Sequence, residues 1–244
     1  MKVLGIDTSG YANAVGITDG EQVLADFVFE AKADSLEKIV ANIDFALESA
    51  GLALDDIQGL GVGLGPGSWT GIRVGVTVGK ILAYSTNKPI AGVSTLEVLA
   101  YSARNSSALI CPVISTGTKD TVYAACYRSQ NGNLDRVGDY YVGDVPGLAA
   151  TIKEPAIIVS AEAETYSKII SQTEGSSGIS ITAVQDVPRG VAVASLAATR
   201  LERGERDDFL ALTPLYLKES TARAFQGKYV RAQVRDEDHV NSGH

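Results

Sequence analysis

Residues 61–75 read GVGLGPGSWTGIRVG, six glycines, a proline and a Ser-x-Thr pair between an apolar strand-like run and a helix-like run. A backbone that turns this sharply can bring its amides to a phosphate or to a partner chain. Neither familiar phosphate loop fits. A dinucleotide fingerprint needs glycine at its sixth position, which is Thr70 counting from Gly65 and Ser68 counting from Gly63. A Walker loop ending at Gly79-Lys80 would need glycine where Val74 stands and Ser or Thr where Ile81 stands. What survives is a structural turn of Gly65, Pro66, Gly67, Ser68 and Thr70. A strand over 57–64 leads in, and a helix over 71–85 leads out with Ser68 or Thr70 as its N-cap.

Other catalytic groups are sparse. The two histidines, His239 and His244, stand in a polar C-terminal tail, and there is no Cys-x-x-Cys, His-Glu-x-x-His or Gly-x-Ser-x-Gly pattern. Hydrolytic or metalloprotease chemistry would therefore lack its nucleophile and general base, so the expectation is no catalytic residue and no metal site. On the helix after the turn, Gly71, Gly75 and Gly79 recur at i, i+4 and i+8, a stripe without side chains. Either another helix approaches there, or the stripe packs on the chain's own sheet.

The elements that must position these residues read as two α/β halves. Residues 2–7, 12–18 and 22–30 form a strand meander with turns at Ser9-Gly10 and Asp19-Gly20. Leu36, Ile39, Val40, Ile43 and Leu47 then recur at helical spacing, with Asp34 or Ser35 as cap and Gly51 as stop. The strand, the glycine turn, a second helix and a short strand over 90–93 complete a βββαβα-type unit. A partial repeat follows: strands over 109–115, 121–128 and 134–142, and helices near 146–152, 161–171 and 191–202, with Gly175-Ser176-Ser177-Gly178 as a loop. The divisions expected are 1–105, a smaller second half over 106–216, and a tail over 217–244.

With 244 residues and 45% hydrophobic content the chain can bury one large core or two small ones. Cys111 and Cys126 sit inside apolar runs, which reads as a reduced intracellular pair of core residues. No run approaches the roughly 18 apolar residues of a membrane helix, so a cytoplasmic chain with no membrane partner is expected. A formal net charge of -8 argues against this chain being the main binding surface for a nucleic acid. One exception is the segment 218–235, where Lys218, Arg223, Lys228, Arg231 and Arg235 outnumber Glu219, which also reads as a solvated tail.

The run from Gly65 to Gly75 resembles the GPGSFTGLRIG signature of the bacterial TsaB (YeaZ) family of tRNA threonylcarbamoyladenosine biosynthesis proteins, with Trp69 in place of the usual Phe. LGIDTS at the N-terminus, GVSTLEVLA at 92–100, VYAACYR at 122–128 and LTPLYLK at 212–218 agree in the same order, so the resemblance spans nearly the whole chain. It implies an actin-like ATPase (ribonuclease H-like) fold shared with sugar kinases and heat-shock chaperone ATPases, here with a reduced second half. Asp7-Thr8-Ser9 resembles that superfamily's first phosphate segment and would contact magnesium or phosphate, or else form a strand-ending Asx turn. Two departures stand out. Asp34-Ser35 replaces a His-Ser or His-Thr pair, and Ser115-Thr116-Gly117 replaces an Asp-Ala-Arg turn, removing a carboxylate and a cation from the second half.

The resemblance also implies a role. The family member is a noncatalytic subunit that binds and activates a TsaD-type transferase, which passes threonylcarbamoyl to the adenosine beside the anticodon of ANN-decoding tRNAs. A TsaE-type ATPase is a further partner, tRNA is met through the complex, and the chain alone forms a homodimer. No tightly bound cofactor is expected; ATP or ADP with magnesium would belong at the complex interface. The resemblance favours the partner reading of the glycine stripe, placing Leu36, Ile39, Val40, Ile43, Gly71, Arg73, Gly75 and Gly79 at or around a helical interface. A small-molecule kinase of the same fold and a homodimeric interaction module unrelated to tRNA are the rival classes.

Overall fold

The computed structural model describes residues 1–10, 12–29, 37–118, 120–173, 178–184 and 187–218. Leu36, Asp34, Ser35, Gly175, Ser176, Ser177, both histidines and the basic segment beyond Lys218 lie outside them. The first half comprises β1 (Lys2–Asp7), β2 (Asn13–Asp19), β3 (Gln22–Phe29), α1 (Ile39–Ser49), β4 (Gly59–Gly65), α2 (Trp69–Thr86), β5 (Ile90–Ser94) and α3 (Thr95–Tyr101). The second comprises β6 (Leu109–Ser115), β7 (Val122–Gln130), β8 (Asn133–Gly143), α4 (Val145–Thr151), β9 (Ala156–Ser160), α5 (Ala163–Ser171), β10 (Ile179–Ala183) and α6 (Arg189–Glu202).

The two sheets repeat one order. Strands run β3-β2-β1-β4-β5 in the first and β8-β7-β6-β9-β10 in the second, each an antiparallel meander continued by two parallel strands. The second sheet is thus complete, and its reduction lies in the helices: α4 and α5 have 7 and 9 residues where α1 and α2 have 11 and 18. Helix α3 and strands β9 and β10 were not among the elements read from the sequence.

The last helix of each half packs beyond its own sheet. Helix α6 lies on β1, β2, β4 and β5 of the first sheet, whereas α3 packs on β6 and β7 of the second as well as on β4 and β5. Close approach makes the α6 contact possible. A Cβ on Gly16 would stand 2.3 Å from the Val191 amide nitrogen, and one on Gly5 would stand 2.2 Å from the Gly190 carbonyl oxygen, so helix backbone rests on strand backbone. Ala192, Ala194, Ala197 and Ala198 continue that thin seam. β1 is therefore covered on both faces, by α1 and α2 on one side and α6 on the other, which explains its unbroken apolar run.

Helix α1 begins at Ile39 with Lys38 in the N-cap position and no side-chain cap; Asp34 and Ser35, the caps expected, lie outside the described residues. Gly51 stops it as expected, at φ +67, where a β-carbon is disfavoured. Cys111 and Cys126 are free thiols. The β6–β7 register, with Ile110 facing Tyr127 and Val113 facing Ala124, sets them directly opposite one another, Sγ to Sγ 2.7 Å.

Candidate functional site

Strand β4 ends at Gly65, whose φ of +95 excludes most side chains, and the chain turns through Pro66 and Gly67 into α2. Ser68 is the cap: its hydroxyl accepts from the Gly71 amide at 3.2 Å, while Thr70 is an exposed residue of the first turn. The turn is bolted to the loop after β1, because the Ser68 amide donates to the Ser9 carbonyl at 2.7 Å. A Cβ on Gly67 would stand 2.3 Å from that same oxygen.

Asp7, Thr8 and Ser9, expected as ligand contacts, are all buried. Asp7 Oδ1 accepts from the Ser9 amide at 2.8 Å, an Asx turn, and Asp7 Oδ2 meets Arg189 Nη1 at 3.3 Å. Arg189 also donates to the Ala12 carbonyl. Thr8 Oγ1 donates to the Gly71 carbonyl at 2.6 Å. Of the three, only the Ser9 hydroxyl is left without a partner. Both Asp7 oxygens are thus engaged, one by a fixed cation, so a magnesium nucleotide does not fit this end of the site. Arg189 carried no signal in the sequence; its partner lies 182 residues away.

Ser9 and Arg189 belong to one wall of a cavity of about 750 Å³ between the halves, with Asp7 and Thr8 buried behind it. Ser9, Pro66, Gly67, Ser68, Thr95 and Arg189 line the first side, and Val113, Ser115, Thr116, Tyr123, Ser160 and Glu162 the second. The Ser9 and Thr95 hydroxyls are buried without hydrogen-bond partners, and Ser115 and Thr116 add further hydroxyls from the second side. Replacing Arg189 by Met should leave Asp7, which is 0% exposed, as an uncompensated buried carboxylate. The expected cost is about 3 kcal/mol in a urea unfolding curve. Pairing it with Asp7→Asn should recover most of the loss; an unchanged midpoint in the single variant would show that the ion pair is not the counterweight.

The glycine stripe faces inward, which corrects its placement at a partner interface. A Cβ on Gly71 would stand 2.0 Å from the Thr8 carbonyl oxygen, one on Gly75 2.2 Å from Thr8 Oγ1, and one on Gly79 3.3 Å from Val62 and Ile90 side chains. Ile39 and Ile43 are likewise core residues, 2% and 3% exposed. Helical spacing finds a stripe but does not say which side it faces. Of the interface residues expected from the resemblance, Val40 and Arg73 are exposed.

The outer surface of this helical layer carries large apolar side chains among polar ones such as Asp44, Glu48 and Thr77. Val40 and Phe45 on α1 are 56% and 49% exposed, and Ile81 and Tyr84 on α2 are 59% and 74% exposed. One flank of α2 is braced by the chain's own 207–216 segment. Lys80 Nζ donates to the Leu210 and Leu212 carbonyls, Tyr84 lies 5.8 Å from Phe209, and the Leu215 amide donates to the Leu64 carbonyl. At the helix N-terminus Trp69 stacks on Tyr216 at 4.4 Å while Arg73 reaches both, its Nε donating to the Tyr216 hydroxyl at 3.2 Å. Trp69, Tyr216 and this brace were not picked out from the sequence as a unit, because they are joined across some 140 residues.

Comparison with known proteins agrees with this geometry. The family model for TsaD, tRNA N6-adenosine threonylcarbamoyltransferase, matches residues 29–231. The tRNA threonylcarbamoyladenosine biosynthesis protein TsaB of Bacillus subtilis is 29% identical over 236 residues, 96% of this chain and 100% of that protein. The tRNA N6-adenosine threonylcarbamoyltransferase of Tropheryma whipplei is 37% identical over 116 residues, which cover 41% of this chain and 29% of the transferase. YeaZ from Pseudomonas aeruginosa superposes with a TM-score of 0.74 at 24% identity, over 88% of this chain and 99% of that one. The fold is the actin-like ATPase fold.

Proposed function

The chain belongs to the family described by the TsaD model, and from its full-length likeness to TsaB and YeaZ we propose that it is the noncatalytic subunit that binds and activates a TsaD-type transferase in forming threonylcarbamoyladenosine on tRNA. The observation that carries the reading is the exposed apolar side chains of α1 and α2: Val40 and Ile81 are more than half exposed, and Phe45 and Tyr84 remain exposed even though they pack against Phe27 and Phe209. The occupant is argued from likeness. A transferase similar to this chain over 41% of its length would present an equivalent helical layer, and two such layers can meet about a pseudo-two-fold axis. A second copy of this chain would use the same face when the transferase is absent.

Within the chain, Asp7 and Thr8 are committed to Arg189, Ser9 and Gly71. That leaves the first phosphate segment without the free carboxylate that a kinase of this fold would need, so no tightly bound nucleotide enters this reading. Catalysis belongs to the partner, and this subunit acts by holding the partner in one arrangement through contacts made only there. With a net charge of -8 it leaves tRNA to the rest of the complex, in which a TsaE-type ATPase is the further component.

Reconstitution tests this directly. Purified chain, a TsaD-type subunit, a TsaE-type ATPase, threonylcarbamoyl adenylate and an ANN-decoding tRNA should yield modified adenosine at a rate at least about 10-fold above the mixture lacking this chain. Equal rates with and without it, or product from this chain alone, would overturn the proposal.

A further inference from the structure

We propose that Cys111 and Cys126 form a redox-active dithiol that closes into a cross-strand disulfide by exchange with a low-molecular-weight disulfide of the glutathione class. The geometry comes from the sheet. The two cysteines are opposite partners on the antiparallel strands β6 and β7. Opposite residues in such a pair hold their α-carbons about 4.5–5.5 Å apart, inside the range that a disulfide spans. Their sulfurs stand 2.7 Å apart, so forming a bond of about 2.05 Å asks for a movement of only about 0.7 Å.

The two thiols are not equivalent. Cys111 is fully buried, whereas Cys126 is half-buried. Opposite Cys126 the neighbouring strand is loosened: β8 fits the residues between Val137 and Tyr141 where β7 fits only Ala125, and Gly138 there takes φ +75. Val137, which faces Cys126, is 41% exposed. A reagent can thus approach Cys126 from the β8 side but not reach Cys111 first. The hydrogen bond from the Cys111 thiol lowers Cys126 below the ordinary cysteine range, against burial and the nearby Glu154, and the same contact together with burial pushes Cys111 up. Cys126, the more accessible of the two, is therefore the thiol placed to attack first, and Cys111 the one that resolves.

The exchange balances without any other reactant. Cys126 thiolate attacks one sulfur of glutathione disulfide and expels glutathione thiolate, leaving a mixed disulfide on Cys126. The Cys111 proton passes to that leaving thiolate, and Cys111 sulfur attacks Cys126 Sγ and expels the second glutathione. Cys126 releases its proton to solvent on ionising and the second glutathione thiolate takes one up, so that, counted from the dithiol, two cysteines lose two electrons and two protons and one glutathione disulfide becomes two thiols. The bond ties β6 to β7 close to Val113 and Tyr123, which line the cavity on the second half, so oxidation fixes that wall. The α1–α2 face plays no part, and failure of this proposal leaves the partner reading untouched.

The full chain is equilibrated with mixtures of reduced and oxidised glutathione, quenched in acid, alkylated and weighed by mass spectrometry. Wild type should lose two hydrogens, take up no alkyl group, recover both thiols on reduction, and melt at least about 5 °C higher when oxidised. Cys111→Ala should instead trap one glutathione per chain on Cys126, and Cys126→Ala should trap none. For a variant that circular dichroism shows unfolded, the reduced wild type is treated with phenylarsine oxide, which bridges close dithiols and should block alkylation of both cysteines. Two alkylated cysteines after oxidised glutathione, a stable mixed disulfide in wild type, or failure of the arsenical to protect the pair would each overturn the assignment.

Discussion

Val40→Asp combined with Ile81→Asp is expected to weaken association with a TsaD-type subunit by about 100-fold or more while shifting the unfolding midpoint of the free chain very little. Both side chains are more than half exposed, so in the monomer the new carboxylates remain hydrated and cost almost nothing. In a complex that closes over α1 and α2 they would be carried out of water with no cation provided for them, and a desolvated, unpaired charge is among the most damaging changes an interface can suffer. Gel filtration or calorimetric titration against the transferase reads the loss, and a urea curve on the same sample reads the fold. Unchanged affinity would mean that the partner docks elsewhere, for example beside Trp69 and Tyr216. Single substitutions should give intermediate losses, with Ile81→Asp and Val40→Asp each smaller than the pair.

The architecture explains why an actin-like chain can serve a partner this way. Two sheets of identical strand order carry helices of unequal length, and α3 and α6 lie between the halves, each resting on the opposite sheet. The cleft that results is lined by hydroxyls, by Glu162 and by Arg189, whose charge is paired with the Asp7 carboxylate buried behind the wall. Arg189 opens α6, whose first turn is pressed onto β1 and β2 at Gly5 and Gly16. The ion pair thereby fastens α6 to the end of β1, and the polar apparatus of the cleft serves the seam between the halves as much as any ligand.

Much of this could be read from local pattern. Strand meanders, the βββαβα order, Ser68 as cap and Gly51 as stop are short-range facts, set by alternation and by turn chemistry within a few residues. Directions in three dimensions were not legible. A helix with glycine at every fourth position looks the same whether the bare face meets a partner or Thr8, and apolar spacing in α1 does not separate Ile39 and Ile43, which are buried, from Val40, which is not. Arg189 against Asp7, Lys80 against the 210–212 carbonyls and Tyr216 against Trp69 join residues more than 100 positions apart, so no window of sequence holds both members. The completeness of the second sheet was hidden because β9 and β10 are short strands of five residues each.

The inward stripe reverses what a bulky substitution there should do. If Gly75 faced a partner, Gly75→Leu would abolish assembly and spare the fold; with its Cβ direction 2.2 Å from Thr8 Oγ1, the same change should unfold the monomer. A leucine there must displace a buried hydroxyl that donates to the Gly71 carbonyl, orphaning both groups, and must also push α2 away from the end of β1. The combined cost is expected at about 4 kcal/mol or more, a large part of the 5–15 kcal/mol that holds an ordinary domain together. Gly79→Ala supplies the contrast. Its Cβ would meet the Ile90 Cδ1 tip and the Val62 Cβ at 3.3 Å, a squeeze of a few tenths of an ångström rather than an overlap, and alanine's better helix propensity, worth roughly 1 kcal/mol, offsets it, so stability should change by less than about 1 kcal/mol. Urea unfolding of the two variants side by side decides the matter: a Gly75→Leu chain that keeps the wild-type midpoint would return the stripe to the surface and put the docking face back on it.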